Sequence, residues 1–258
     1  MIQLHEYHIA KDVVAFSTTR HGGVSEGNYA SFNINHYCGD EAAAIAENRR
    51  LLCEQLHITA DRLVYPHQTH QTEVRCIDEV FLGLSEADRQ PLLEGVDAVM
   101  TNVLGVCVGV STADCIPVLL YDEVHHAVAA IHAGWRGTVG RIVRKAFAAM
   151  QETYATVPSQ LRAVIGPGIS LKNFEVGDEV YQAFSEAEFD KESIAQRSAK
   201  WHIDLPLCNA LQLEQTGVSR ENIQQSAICT YDHCSDFFSA RRLGINSGRI
   251  LTAIMLKG

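Results

Sequence analysis

Three short polar segments interrupt otherwise apolar stretches of this 258-residue chain, and each carries residues suited to chemistry. They are Tyr65-Pro66-His67-Gln68-Thr69-His70-Gln71, Ser111-Thr112-Ala113-Asp114-Cys115-Ile116-Pro117 and Ile131-His132-Ala133-Gly134-Trp135-Arg136-Gly137. Imidazole and thiolate are good zinc ligands, and three protein ligands with an open position form the arrangement of a catalytic zinc site. His70, Cys115 and His132 are candidate ligands on that ground. Their gaps, 45 and 17 residues, match no short zinc motif, so the spacing leaves other readings open. A histidine at a strand end is more often a hydrogen-bonded core residue, and a cysteine shortly before a proline more often packs. Cys115 and His132 also form a candidate nucleophile and base of a cysteine-dependent amidase or hydrolase, although His70 then has no role. A non-catalytic metal-binding partner is a third reading, and no extended charged or amphipathic segment supports it.

The elements that must position these residues follow from periodicity. Short apolar runs at Ala98 to Thr101, Val106 to Val110, Pro117 to Tyr121 and Ala127 to Ile131 predict central strands. The second and third polar segments lie at the ends of such strands, where side chains can converge on one mouth. Further strands are expected at Val13 to Thr19, Thr72 to Ile77, Leu161 to Ile165, Ala227 to Thr230, Phe237 to Arg241 and Ile250 to Leu256. Helices are expected at Ala42 to Leu56, with Asp40 a candidate cap, and at Pro206 to Gln215, between Asp204 and Gly217. The clearest helix runs from Val139 to Met150, because Val139, Ile142, Val143, Ala146, Phe147 and Met150 share one helical face. The pattern is mixed, without the regular alternation of a barrel or a doubly wound sheet. No phosphate-binding glycine motif of the dinucleotide or P-loop type is present.

Composition narrows the classes further. Hydrophobic residues make up 47% and charged residues 20%, an ordinary globular balance. Twenty-one basic against 31 acidic residues give a net charge of −10, which disfavours a nucleic-acid surface but leaves room for a few arginines around a small anion. No apolar run reaches the roughly 18 residues of a membrane span. The N-terminal residues lack a basic region followed by an apolar stretch, so a cytoplasmic protein is expected. The eight cysteines include no C-x-x-C pair and are expected to be reduced.

Longer segments carry a resemblance. HQTH, STADCIPVLLYD, HAGWRG and IGPGIS, followed by CTYDHCSDFFSARRLGINSGR, resemble the YfiH-like family, also called the laccase-domain or polyphenol-oxidase-type family. TTRHGGVSEGNYASFNINHYCGDE is similar to the family's N-terminal block, so the resemblance runs from Ser17 to Arg249. It implies one α+β domain over residues 1–258, layered α/β/β/α with mixed β-sheets, similar to the catalytic domain of a cytotoxic deamidase toxin. It also implies that the His of the Gln-x-His block, the Cys of Ala-Asp-Cys and the His of HAGWRG are metal ligands. Those positions are His70, Cys115 and His132. The chain departs from the family pattern at Ala240 and Leu243, where an aromatic or His and an Asp usually flank the Arg-Arg pair.

The family name points to copper oxidation. A trinuclear copper cluster needs His-x-His pairs, and none occurs among the twelve histidines. Two histidines and a cysteine can hold copper, so Cu2+ binding in vitro is expected without physiological laccase activity. The resemblance instead implies a zinc enzyme that cleaves adenosine, inosine and methylthioadenosine with phosphate and deaminates adenosine. Its partners would be a purine nucleoside and phosphate. Asp114, beside Cys115, and Glu175 are the candidate proton shuttles, Asp114 with the alternative role of orienting a ligand. Arg20, Arg136, Arg241 and Arg242 lie in the motif blocks and are the candidate phosphate ligands, since an arginine fork matches phosphate geometry. The turn His21-Gly22-Gly23 could add backbone N–H groups. The Cys229–His233 pair of CTYDHC reads as structural.

Overall fold

A strand with apolar residues at every position must be covered on both sides, and several such strands stack two sheets here. The computed structural model describes residues 1–258. Its strands are β1 (Leu4–Glu6), β2 (Val13–Thr18), β3 (Leu63–Val64), β4 (Glu73–Cys76), β5 (Val96–Thr101), β6 (Cys107–Thr112) and β7 (Ile116–Asp122). They continue with β8 (Ala127–Ala133), β9 (Leu161–Ile165), β10 (Glu175–Val176), β11 (Ala195–Arg197), β12 (Trp201–Ile203), β13 (Ile223–Gln225) and β14 (Ile250–Leu256). The helices are α1 (Ala42–Leu56), α2 (Glu79–Leu82), α3 (Glu86–Leu92), α4 (Trp135–Val139), α5 (Ile142–Tyr154), α6 (Asp178–Glu186), α7 (Lys191–Ile194), α8 (Leu205–Gln215) and α9 (Ala240–Leu243).

One sheet has five strands in the order β1-β2-β14-β6-β3, and a second has six in the order β13-β9-β7-β8-β5-β4. Both are mixed: β3/β6, β4/β5 and β13/β9 are parallel, and the other pairs are antiparallel. Alternation of side chains divides each strand between two layers. In β7, Ile116, Val118 and Leu120 pack under α5 and α8, while Leu119 and Tyr121 enter the core between the sheets. In β14, Leu251, Ala253 and Met255 pack with Leu52, Cys53 and Leu56 of α1, while Ile254 and Leu256 face inward. The layers are therefore α1, the five-stranded sheet, the six-stranded sheet, then α5 and α8. This is the expected α/β/β/α arrangement, with no barrel. Each fully buried Leu or Ile adds about 1.5–3 kcal/mol. A small sheet, β10-β12-β11, has no counterpart in the expectations from sequence.

The expected helix from Val139 is in fact two. α4 ends at Val139, Arg141 takes φ 62°, and α5 starts at Ile142. A Cβ at Gly140 would meet Thr72 Cγ2 at 2.7 Å, so this close approach requires glycine. The predicted face holds nonetheless: Ile142, Val143, Ala146, Phe147 and Met150 are buried. At α8 the expected ends are found, with the Asp204 carboxylate accepting from Leu207 N and Gly217 at φ 98°. At α1 the cap differs. Glu41 precedes the helix, and Asp40 instead accepts from Ser25 Oγ and Asn33 Nδ2, at 2.7 and 2.9 Å.

Two expected strands are absent. Of residues Ala227 to Thr230, only Cys229 bridges to Gly168, and Ala227 at φ 54° breaks the extended path. Phe237 and Phe238 bury against Ala113 and Ile250, and Ser239 then caps the short helix α9. These apolar residues were packing anchors of a loop, which periodicity alone does not separate from a strand.

Candidate metal centre

Register brings two of the three candidate ligands together. β7 and β8 are antiparallel, with Ile116 opposite Ala133 and Pro117 opposite His132. Cys115, immediately before β7, therefore lies beside the end of β8. The preceding residues Ala113 to Cys115 carry the chain from β6 of one sheet to β7 of the other, at the mouth between them. His70 arrives on the loop between β3 and β4, at φ 63°. The ligand atoms of His70, Cys115 and His132 all lie within 4.8 Å of one another. The rings of His70 and His132 meet edge to face, with centroids 4.9 Å apart.

Asp97 of β5 holds this arrangement. It is fully buried, and its carboxylate accepts from His132 Nδ1 at 2.7 Å. It also accepts from the backbone N–H of His70 at 3.1 Å and of Gln71 at 2.7 Å. One side chain thereby orients the His132 ring, leaving Nε2 for an ion, and fixes the His70 loop. Burial pushes the Asp97 carboxyl up, but the bond and charge of His132 and the loop amides outweigh it and hold it below the usual range.

The donors fit zinc. A tetrahedral ion with bonds of about 2.0–2.3 Å needs ligand atoms roughly 3.5 Å apart. Space is kept for an ion by Gly134, where a Cβ would come within 2.9 Å of His70 Cδ2 and 3.0 Å of Cys115 Sγ. A histidine whose far nitrogen is bonded to a carboxylate is the usual support of a metal ligand. Electrostatics prepares the thiolate as well. Burial pushes the Cys115 thiol up, yet the His132 charge and hydrogen bonds from His132 and His70 lower it to about 6. Burial pushes His132 down, yet Cys115 and Asp97 raise it to about 9.

A cavity of about 290 Å3 opens on the three residues. Larger clefts, of about 620, 830 and 750 Å3, lie elsewhere and hold no metal-ligand cluster. On one side of the cavity Tyr37 stacks on His67, with centroids 3.8 Å apart and planes 15° from parallel. His67 Nδ1 lies 2.8 Å from both oxygens of Glu94. Gln68 grips the backbone of Ser111 from both sides, donating to its carbonyl at 2.7 Å and accepting from its N–H at 2.9 Å. Arg249 also lines the cavity.

Of the two positions that depart from the family pattern, Ala240 lines this cavity and Leu243 does not, and the candidate proton shuttles and phosphate ligands stand apart from it. Asp114, at φ 87°, turns its carboxylate to Thr230 Oγ1 at 2.7 Å and to the Arg241 backbone N–H at 2.6 Å. Glu175 is exposed and paired with Lys200. The Arg20 guanidinium donates to the carbonyls of Ala30 and Cys234 and lies over the Phe238 ring. Beside it, the His21 and Gly23 N–H groups are taken by Thr19 and Ser31. Arg136 lies over Trp135, Arg241 donates to the carbonyls of Asn173 and Glu175, and Arg242 lies over Tyr231. Cys229 accepts from Ser170 N and Asn173 Nδ2, a structural role. Sequence reasoning missed Asp97, Tyr37 and Arg249. Asp97 had a signal: it is the one charged residue in the apolar run Val96 to Met100.

Known proteins share this architecture and much of the sequence. The chain is 50% identical, over 93% of its length and 90% of the relative's, to a purine nucleoside phosphorylase of Bacteroides thetaiotaomicron. It is 44% identical, over the full length of both, to an adenosine deaminase from an unknown prokaryotic organism. YlmD from Geobacillus stearothermophilus superposes with a TM-score of 0.90 at 30% identity, covering 96% of this chain and 93% of that one. Residues 14–257 match the family model described as multi-copper polyphenol oxidoreductase laccase, and the chain belongs to that laccase-domain family.

Proposed function

We propose that the chain is a zinc-dependent purine nucleoside phosphorylase, acting on adenosine, inosine and methylthioadenosine, that also deaminates adenosine. The observation that carries this reading is the convergence of His70, Cys115 and His132 around the gap left by Gly134. Relatives named purine nucleoside phosphorylase and adenosine deaminase supply the substrate class. In phosphorolysis a phosphate oxygen bonds to ribose C1′ as the glycosidic C–N bond breaks. The electron pair leaves on the ring nitrogen, which takes a proton, giving free purine and ribose 1-phosphate, or 5-methylthioribose 1-phosphate from methylthioadenosine. In deamination a water oxygen replaces the amino group at C6, which leaves as ammonia. A zinc ion held by His70, Cys115 and His132 would supply Lewis acidity at this cavity.

The chain's own residues do the rest. The flat Tyr37–His67 pair offers a face for a purine ring. His67, braced by Glu94, is the cavity's histidine outside the ligand set, and it takes the proton-transfer role for which sequence offered Asp114 and Glu175. We infer one domain over residues 1–258, working in the cytoplasm. All eight cysteines are unpaired, and no helix is long and apolar enough to cross a membrane.

The test is chromatography of adenosine incubated with the protein, with and without phosphate. Phosphate-dependent adenine supports the phosphorylase, and inosine in the same trace supports the deaminase. Unchanged adenosine in both samples, with zinc confirmed in the protein, overturns the reading. A second reading then leads: the lowered Cys115 thiol and raised His132 favour a metal-free thiolate nucleophile. Activity that resists chelators and is lost to thiol alkylation marks that case.

A further inference from the structure

The walls of the metal cavity include no aspartate or glutamate. Arg249 is the one lysine or arginine among them, and no carboxylate lies within salt-bridge distance of it. Its guanidinium is held by its own loop, donating to the carbonyls of Ser247, Gly248 and Ile245 at 2.6 to 3.0 Å. These neutral acceptors fix its position without neutralising its charge.

Ser111 supplies the second observation. It lines the same cavity and is only 6% exposed, and its hydroxyl has no hydrogen-bond partner. Its backbone N–H and carbonyl are both taken by Gln68, so the hydroxyl is the group left unsatisfied. A buried hydroxyl without a partner costs about 1–3 kcal/mol, and a ligand that supplies the missing bond removes that cost. Pairing sets the two residues side by side. Leu251 of β14 lies opposite Ser111 of β6, so Arg249, two residues earlier, is its diagonal neighbour on the same face. Such diagonal positions are about 7–8 Å apart, within reach of an arginine.

We propose that Arg249 and the Ser111 hydroxyl form the phosphate subsite of the metal cavity, holding inorganic phosphate as the second substrate. The assignment rests on the phosphorylase reading for its place in the reaction. Its binding chemistry is independent of that reading: a fixed guanidinium and a free hydroxyl, with no carboxylate in the walls, suit a tetrahedral oxyanion. Arg20, Arg136, Arg241 and Arg242, the candidate phosphate ligands from sequence, do not line the cavity.

The experiment uses the full-length, zinc-loaded protein with Arg249→Gln and Ser111→Ala. In turnover of adenosine, Arg249→Gln is expected to raise the KM for phosphate by about 10- to 100-fold, the range of a lost charged hydrogen bond, and to leave the KM for adenosine within about twofold. Ser111→Ala is expected to raise it by about three- to tenfold. This small substitution removes an unsatisfied group, so it keeps the test open if Arg249→Gln does not fold. Titration calorimetry at matched ionic strength, with inorganic phosphate and separately with adenosine 5′-monophosphate, reads binding without turnover. Saturable phosphate binding weakened in both variants supports the subsite even where adenosine is not cleaved, a result that sinks only the phosphorylase reading. Phosphate binding unchanged in both variants overturns the proposal. So does Arg249-dependent binding of the monophosphate alone, which would assign the site to a nucleotide.

Discussion

Two buried aspartates flank the candidate metal centre, and they do opposite work. Asp114 adjoins Cys115 in the chain, yet its carboxylate faces away, tying the C-terminal arginine loop through Thr230 and the Arg241 amide. Asp97 lies 18 residues before Cys115, yet it touches one ligand ring and the backbone of another. Neighbourhood in sequence says where a residue must be, not where its side chain looks. Asp114 at φ 87° shows why: the left-handed turn that brings Cys115 to the cavity swings the preceding side chain aside.

The sharpest way to break this comparison is to remove the ring that Asp97 holds. His132→Ala is expected to abolish zinc binding by elemental analysis and to lower turnover by more than about a thousandfold, as loss of a ligand essential to catalysis does. It also leaves the Asp97 carboxylate buried without its charged partner, at a cost of about 3–5 kcal/mol in urea unfolding. Retained stoichiometric zinc would remove His132 from the ligand set.

Next comes Asp97 itself. Asp97→Asn is expected to weaken zinc by about 10- to 100-fold in competition with a chromogenic chelator, the usual effect of a residue that orients a ligand. Asp114→Asn is expected to leave zinc affinity within about twofold while costing about 1 kcal/mol of stability, because the amide oxygen keeps the Arg241 N–H and its NH2 turns to the Thr230 hydroxyl, with only the charge assistance lost. Equal effects of the two on zinc would erase the distinction.

A pH titration sharpens it further. In the metal-free site the thiol titrates at about 6 and His132 at about 9, so between these values the pair holds one proton, on His132. An ion needs that nitrogen bare, so each zinc bound releases one proton. Affinity is expected to climb about tenfold per pH unit across that window and to level off above it. In Asp97→Asn the histidine loses one of the groups that raise it, and the levelling is expected at lower pH. A flat profile in the wild type would mean that no proton is displaced. Among the substitutions expected to weaken zinc, the smallest effect belongs to Gly134→Ala. Its new methyl group presses on His70 and Cys115, and zinc affinity is expected to fall severalfold in the same chelator assay.

Much of this frame was legible in sequence. The fully apolar runs of β7, β8 and β14 required layers on both faces, and Ile142 to Met150 declared its buried side. The ligand trio was nominated by chemistry and ordered by the motif blocks. What escaped depends on pairing between distant segments. Ser111 and Arg249 are 138 positions apart and reach the same cavity because β6 pairs with β14. Asp97 carried a local mark, a lone charge in an apolar strand, but its partners lie on two other segments. The motif arginines were misleading because a guanidinium satisfies carbonyls as readily as phosphate, and local sequence does not say which is near.

The bare α-carbon of Gly134 has a consequence for how such a cavity can diversify. At the floor, any side chain larger than that glycine's hydrogen would press on His70 and Cys115. The opposite rim is built from loops, with Tyr37 and Ile245 both exposed and free to exchange side chains. New specificities would therefore arise by remodelling the rim over an unchanging base, so that descendants of this protein could part ways in what they accept while remaining alike in what they do to it.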